Sequence, residues 1–398
     1  MRKKQYKIFA AIHLGSEMIS MQIVQYRNLN NMKVLEECNR RVRLGEETFK
    51  NKIIPFSMVN EICELLVGFK RLMTEYEVEE YSMQATTAVR EALNRVFLLD
   101  QIYIRTGLKV TVIDLPEEIY TKYASIRRTM KLDGLTGVDE SMLMMDISSG
   151  GLGITFVKDN IIRYQQNLNI GVIRVKESFN RNQRSSMKFN QALAEYLSST
   201  MGAVRDALKN EQIHYLVLTG AESELLLQMM GVEFKAGVIR IKTEQFMQLF
   251  KTVHELNLPQ IIKVFKINED VAELVVPTIL LYEQLLALVP VQEIILTDDR
   301  FIDGICLLHI GPKASKDYAD ELEQEQLSLL YSIGERYQYD EAHSRQVAKL
   351  ALAMFDKLGK HHGLDSLTNG RRPFFAPRCC TISANTFRCA AIRCTAIC

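Results

Sequence analysis

IFAAIHLGSEMISMQI (residues 8–23) and MLMMDISSGGLGITFV (residues 142–157) share one pattern, from which the fold can be predicted. In each stretch an apolar run ends in a short turn that contains glycine and serine, and a second run with alternating apolar residues follows. A period of two on both sides of such a turn is typical of a β-hairpin. The sequence therefore predicts two equivalent hairpins, roughly a third of the chain apart.

The turns of these two hairpins are suited to phosphate. Glycine allows tight backbone conformations, and the N–H groups and serine hydroxyls of such a turn can point toward one centre and bind anionic oxygens. Two turns of this kind predict two lobes that hold one phosphorylated ligand between them.

The segments around the hairpins alternate between helical and extended patterns. Apolar residues from Met58 to Met73 recur at helical spacing, and strands are predicted at Ser82–Thr86 and Val110–Ile113. Pro116 suits the first turn of a helix that follows the second of these strands. The second half repeats this alternation, with helices predicted at residues 190–208 and 279–288 and strands at residues 215–218 and 293–296. The pattern is typical of an α/β fold.

The sequence predicts four segments along the chain, namely a first lobe at residues 1–125, a second lobe at 126–310, a partial helical segment at 311–365 and a tail at 366–398. Residues 311–320 are polar and predict a linker. The tail contains five arginines and five cysteines, but it has no lysine, acidic residue or histidine. Because it also lacks hydrophobic periodicity and paired CxxC motifs, it is interpreted as an out-of-frame or disordered ending rather than a zinc site.

Composition and charge exclude several classes of function. The net charge is +1, and outside the arginine-rich tail the chain is acidic, so it lacks the broad basic surface of a nucleic-acid-binding protein. The most apolar later stretch, Val271–Leu296, is interrupted by Glu273 and two prolines and does not predict a membrane span. We expect a cytoplasmic protein with no nucleic-acid or membrane partner, and a homodimer is one open alternative for its assembly.

Further motifs accompany the hairpins in a fixed order. These are ATTAVREA at residues 85–92, Val112-Ile113 followed after three residues by Glu117-Glu118, and Met144-Met145-Asp146 before the second turn. In this order the chain resembles the exopolyphosphatase and guanosine pentaphosphate phosphohydrolase (Ppx/GppA) family, from about Ile8 to about Gly304. The segment Arg336–Val347 resembles the opening helix of the helical domain of longer members. The resemblance implies a two-lobed, actin-like (ribonuclease H-like) α/β fold with a truncated, HD-like helical segment.

The resemblance also implies a reaction and assigns residues to it. The implied activity is Mg²⁺-dependent release of the terminal phosphate from polyphosphate or guanosine pentaphosphate. Glu118 matches the catalytic carboxylate, Asp146 matches the acidic residue that holds Mg²⁺, and Arg90 matches an arginine that binds phosphate. The phosphate-binding turns are expected to be formed by Gly15, Ser16, Ser149, Gly150 and Gly151.

This chain departs from the family pattern at four places. The pattern of the first turn is Asp-x-Gly-Ser-Asn-Ser, whereas this chain has HLGSEM at residues 13–18, so that His13 replaces a carboxylate and Glu17 adds one. The second turn lacks the expected hydroxyl and second acidic residue at Leu152 and Gly153. The glycine-rich turn at residues 220–224 has become GAESE, and Arg-Glu-Gly near the end has become IDG at residues 302–304.

These departures leave two alternatives for the function. One is a weakened exopolyphosphatase-like hydrolase. The other is a catalytically inactive member that binds a phosphorylated ligand or a protein partner and acts as a sensor. The neighbour Glu117 is an alternative to Glu118 for the catalytic carboxylate, and Asp146 has the alternative role of capping its own turn.

Overall fold

A computed structural model describes residues 6–135, 141–159, 161–178, 189–233, 237–336, 339–347, 349–350 and 353. The described residues fall into two compact units, one within Met1–Asn160 and Gln165–Asp320 and the other within Ile161–Tyr164 and Glu321–Cys398.

The first sheet of the larger unit has five strands in the order β3-β2-β1-β4-β5. Its strands are β1 (Lys7–Leu14), β2 (Met18–Tyr26), β3 (Met32–Arg41), β4 (Glu80–Ala85) and β5 (Thr111–Val112). The helices associated with this half of the chain are α1 (Leu44–Asn51), α2 (Phe56–Glu75), α3 (Thr87–Glu91), α4 (Arg95–Thr106) and α5 (Leu115–Leu132).

The second sheet has six strands in the order β10-β11-β9-β6-β7-β8. Its strands are β6 (Met142–Ile147), β7 (Leu152–Lys158), β8 (Ile161–Leu168), β9 (Tyr215–Thr219), β10 (Val238–Lys242) and β11 (Glu293–Thr297). The helices of this half are α6 (Val172–Ser178), α7 (Phe189–Thr200), α8 (Gly202–Leu208), α9 (Ala221–Met229), α10 (Thr243–His254), α11 (Leu258–Phe265), α12 (Glu269–Leu288) and α13 (Phe301–Ala314).

The two predicted hairpins occupy equivalent positions in the two sheets. In the first sheet β1 pairs antiparallel with β2 and parallel with β4, and in the second β6 pairs antiparallel with β7 and parallel with β9. Both β1 and β6 are buried along most of their length, in agreement with their continuous apolar runs. The mixed α/β architecture and both hairpins are thus confirmed.

Helices cover both faces of the first sheet. One face packs on α2 and α4 through a large apolar cluster that includes Ile12, Leu66 and Ile102. The other face packs on α13, with Phe9 and Ala11 of β1 against Ile305 and other apolar residues of the helix. A helix late in the chain therefore returns to the first strand.

Helices α5 and α13 cross in direct backbone contact. A Cβ atom added at Gly304 would lie 2.1 Å from the carbonyl oxygen of Thr121, so that only glycine fits at this point. The glycine of the IDG segment thus has a structural reason that does not depend on phosphate chemistry.

Several local predictions were wrong. The polar segment 311–320 is not a linker, because α13 continues to Ala314 and α14 (Lys316–Arg336) begins two residues later. Gly311 is buried against the ring of Tyr318, which accounts for the tight junction. The helix predicted at residues 190–208 is two helices, since Met201 has non-helical angles before Gly202.

Helix α12 begins ten residues before its predicted start. The Asn268 side chain accepts a hydrogen bond from the N–H of Val271 and caps this helix, which also contains Pro277. Among the described residues, α12 is the one helix long and apolar enough to cross a membrane, with a mean hydropathy of 1.6. Half of its most apolar window is buried inside the protein, as in the core helix of a globular domain.

The smaller unit contains most of α14 and a further helical stretch at residues 341–347, in agreement with the predicted helical pattern after residue 321. The predicted segment boundaries after residues 125 and 310 remain predictions. The predicted tail at residues 366–398 lies outside the described residues.

The crossing of α5 and α13 can be tested by adding one methyl group. We expect Gly304→Ala to lower the free energy of unfolding by about 2–3 kcal/mol, because the new Cβ atom forces the two backbones apart. Gly68→Ala is the matched control, since Gly68 lies on an exposed face of α2 with no atom within 4 Å of the added Cβ, and we expect it to be neutral or stabilising. Urea denaturation of both variants measures the difference, and equal stability of the two would contradict the close crossing.

Candidate functional site

The first hairpin turn is tight and lies against α1. The N–H of Gly15 donates to the carbonyl of Met18 at 3.0 Å, and a Cβ atom at Gly15 would lie 2.8 Å from that same oxygen. Ser16 is buried, and its carbonyl accepts a hydrogen bond of 2.7 Å from the N–H of Gly45 at the start of α1. Gly15 is therefore required by the turn itself.

The second turn is closed by its own serine. Ser148 donates through its N–H to the carbonyl of Gly151 at 2.9 Å, and the N–H of Gly151 donates back to Ser148 Oγ at 3.2 Å. The carbonyl of Ser149 accepts from the N–H of Arg174 at 3.1 Å, which ties the turn to α6. These bonds fix the shape of the turn.

Helix α1 lies between the two turns. Gly45 of this helix contacts Ser16 of the first turn. The ring of Phe49, one helical turn later, would lie 3.0 Å from a Cβ atom added at Gly150 in the second turn. Thr87, at the start of α3, is equally close to Gly150. The predicted phosphate-binding residues of both turns thus surround one small region of the protein.

Arg174 fastens the second turn to the first half of the chain. Its Nε donates to the carbonyl of Gly150 at 2.8 Å, and its two Nη atoms donate to the carboxylate of Glu91 at 2.5 and 3.2 Å. The guanidinium also lies 4.3 Å from the ring centre of Phe49, and Lys52 forms an ion pair of 3.0 Å with the same carboxylate. A bidentate arginine and a second cation hold Glu91 in place.

Glu118 and Arg90, both predicted as site residues, are in direct contact. Arg90 Nη1 donates to Glu118 Oε2 and to the carbonyl of Ile113, each at 2.8 Å, and Arg90 Nη2 donates to Thr87 Oγ1 at 2.9 Å. Thr87 Oγ1 lies 3.3 Å from both oxygens of Glu118. The neighbour Glu117 is exposed, so the structure places Glu118 rather than Glu117 in this cluster.

Asp146, the third predicted residue, pairs with a lysine that the sequence analysis did not single out. Lys122 is buried, with a residual exposure of 7%, and its Nζ lies 3.5 Å from Asp146 Oδ1. His13, at the end of β1, shares a hydrogen bond of 3.2 Å with Thr86 Oγ1 and contacts the ring of Phe301.

Burial controls the protonation of these groups. Loss of water raises the pKa of Glu118 above its ordinary value, and the neighbouring Arg90 only partly opposes this shift. Burial also raises the pKa of Asp146 against the opposing effect of Lys122. The pKa of His13 falls to about 3, first because of burial and then because of the nearby charge of Lys122, so that the imidazole is neutral at physiological pH.

These residues do not fit the Mg²⁺ site that the resemblance implies. Asp146 is matched by Lys122 and Glu118 by Arg90, while His13 occupies the position of the expected first-turn carboxylate. In the part of the chain that the structure describes, no three His, Cys, Asp or Glu residues come together as a metal-binding group. Hard divalent cations need several oxygen ligands, and here the two carboxylates already have cationic partners.

Sequence analysis assigned no site role to four residues of this cluster, namely Thr87, Glu91, Lys122 and Arg174. Lys122 had a signal, because it follows Glu118 by four residues and therefore shares its face of α5. Arg174 had none, since its partner Glu91 is 83 residues away in the chain.

A separate cavity of about 580 Å³ is lined in part by Gln22, Ser125, Asp299, Arg300 and Cys306. No predicted site residue lines this cavity. One carboxylate oxygen of Asp299 accepts hydrogen bonds from Ser125 and Thr129, and burial raises the pKa of this group.

Comparison with known proteins gives a family match and two distant relatives. The model of the Ppx/GppA phosphatase family matches residues 22–307. A bifunctional 3-dehydroquinate synthase/phosphatase of Fusobacterium nucleatum is 23% identical over 176 residues, which are 43% of this chain and 26% of that protein. A guanosine-5'-triphosphate,3'-diphosphate pyrophosphatase of Vibrio atlanticus is 22% identical over 88% of this chain and 68% of its own length. The chain thus spans about a quarter of the first relative and about two thirds of the second.

Solved structures show the same fold. A Ppx/GppA family member of Aquifex aeolicus matches with a TM-score of 0.64 and 20% identity, over 77% of this chain and 98% of that one. An exopolyphosphatase of Cytophaga hutchinsonii matches with a TM-score of 0.67 and 19% identity, over 76% and 98%. The expected two-lobed, actin-like α/β fold is confirmed.

The neutral state of His13 has a consequence for stability. Its pKa is about 3 in the folded protein and near 6.5 in the unfolded chain, so between these values the unfolded chain binds more protons. The contribution of the neutral imidazole to the free energy of unfolding is therefore complete above pH 6.5 and declines as the pH falls toward 3.

We expect the difference in the free energy of unfolding between the wild type and His13→Asn to change by about 1–2 kcal/mol between pH 7.5 and pH 5, with the wild type losing more stability on acidification. Urea denaturation at both pH values measures it, and parallel pH profiles would contradict the assignment.

Proposed function

The chain belongs to the Ppx/GppA phosphatase family, and on this premise we propose that it hydrolyses phosphoanhydride bonds, releasing the terminal phosphate of polyphosphate or guanosine pentaphosphate. The observation that carries the proposal is the contact of Glu118 with Arg90 and Thr87 beside the second hairpin turn. This cluster offers a carboxylate for water and a planar guanidinium for phosphoryl oxygens in one place.

In the proposed reaction, water attacks the terminal phosphorus in line with the bridging oxygen. Glu118 accepts a proton from the water as the new P–O bond forms, and the bridging P–O bond breaks with the shortened substrate as leaving group. Burial raises the pKa of Glu118, which makes its carboxylate a stronger base. Arg90 donates to the equatorial oxygens, where negative charge accumulates.

We propose that this activity is weak compared with that of a site that keeps the full family pattern. The phosphate oxygens must compete with Glu118 and Thr87 for the donors of Arg90. Gly150 is covered by Phe49 and Thr87, so the second turn must separate from α1 and α3 before a phosphoryl group can reach its backbone.

The alternative proposal is an inactive member that binds a phosphorylated ligand as a sensor. The bonds of Arg174 to Gly150 and to Glu91 favour this alternative, because a ligand that displaced them would move the second turn relative to α3. In this case binding persists without turnover.

Phosphate release from long-chain polyphosphate by the full chain distinguishes the two proposals. If the chain is a hydrolase, we expect Glu118→Gln to lower the rate of release by about 10²- to 10⁴-fold, because the amide cannot accept the proton from water. Glu117→Gln is the matched control, since it makes the same change one residue earlier on an exposed position. We expect it to retain the wild-type rate.

Guanosine pentaphosphate is assayed in parallel to choose between the two substrates. Loss of activity in both glutamine variants, or in neither, would contradict the role of Glu118. Tight binding of polyphosphate by the wild type with no release of phosphate would favour the sensor.

A further inference from the structure

Lys122 is the most unusual residue near the two turns. Lysine is rarely buried unless it has a partner, and Lys122 pairs with Asp146, at the carboxyl end of β6 just before the second turn. The first turns of α5 lie directly against this hairpin, because a Cβ atom at Gly153 would be 3.4 Å from the side chain of Ile119. The ammonium of Lys122 thus lies beside the carboxylate that directly precedes the second turn.

The charges around Lys122 are arranged differently from those of a metal site. Besides Asp146, the groups that interact with its charge are His13 on β1, Glu224 on α9 and Asp299 before α13. His13 is neutral and removes one negative charge from the first turn, and Arg90 balances Glu118. The two carboxylates nearest the turns therefore each have a cation that belongs to the chain itself.

We infer that Lys122 takes the place of a divalent cation in this chain, so that its two turns bind phosphate without Mg²⁺. This inference rests on the proposed function only for the class of ligand. An ammonium carries three donors on a flexible stem, so Lys122 can bond to a phosphate oxygen while it remains beside Asp146. A divalent ion bound to Asp146 would lie next to this ammonium and be repelled by it.

The first test measures metal binding without any substrate. Thermal unfolding of the full chain is measured in three solutions, which contain EDTA, Mg²⁺ or Mn²⁺, each at about 5 mM so that weak binding is detected. We expect the wild type to unfold at the same temperature in all three. In His13→Asp/Lys122→Met, which restores the expected carboxylate and removes the cation, we expect Mg²⁺ or Mn²⁺ to raise the unfolding temperature by about 3 °C or more.

The second test measures binding of tripolyphosphate in EDTA by calorimetry. We expect the wild type to bind in EDTA, and Lys122→Met to bind at least about tenfold more weakly because it lacks the buried cation. Lys122→Arg keeps the charge and should retain most of the affinity. Lys131→Met changes an exposed lysine on the same helix and should bind as the wild type does. If Lys122→Met fails to fold, the double variant Lys122→Met/Asp146→Asn is used in its place, because it removes both charges of the pair. The affinity of the double variant is then compared with that of Asp146→Asn.

The outcomes separate this inference from the proposed hydrolysis. Metal-free binding that depends on Lys122 supports the inference, even if no phosphate is released. Stabilisation of the wild type by Mg²⁺, binding that requires Mg²⁺, or unchanged binding by Lys122→Met in EDTA would overturn it. Phosphate release that requires Mg²⁺ would keep the hydrolase and overturn the role of Lys122.

Discussion

Helix α5 connects the two halves of the chain through two ion pairs that lie one helical turn apart. Glu118 pairs with Arg90, which belongs to the half of the chain around the first sheet, and Lys122 pairs with Asp146 of the second sheet. Because residues four apart lie on the same face of a helix, one side of α5 reaches both halves. A buried ion pair adds little net stability, but the loss of one partner is costly, so such pairs specify an arrangement more than they strengthen it.

The hairpins could be predicted because their signal is local. A period of two, a glycine turn and burial on both faces leave few alternatives for residues 8–23 and 142–157. Strand β3 was missed because it pairs only with β2 and is largely exposed, so that its sequence is dominated by charged and polar residues. The junction at Ser315 was misread as a linker because the contact of Gly311 with Tyr318 depends on packing rather than on polarity.

The site was predictable to the extent that a motif carried it. Glu118, Arg90 and Asp146 were predicted from their place in a known order of motifs, and the structure brings the first two into contact. Lys122 was overlooked because a lysine in an amphipathic helix is ordinarily solvated, and only the packing of α5 against β6, β7 and α13 buries it. Pairs such as Glu91 and Arg174 form only after folding brings distant segments together, so no local sequence pattern predicts them.

The contact between Gly304 and Thr121 gives the family pattern a second meaning. The arginine and glutamate that the pattern places before this glycine are isoleucine and aspartate here, yet the glycine is required because two helix backbones touch. This glycine is therefore accounted for by the helix crossing alone. A match to the pattern at this position is thus explained by packing, and the chemistry of the chain must be inferred from the charged side chains around the turns.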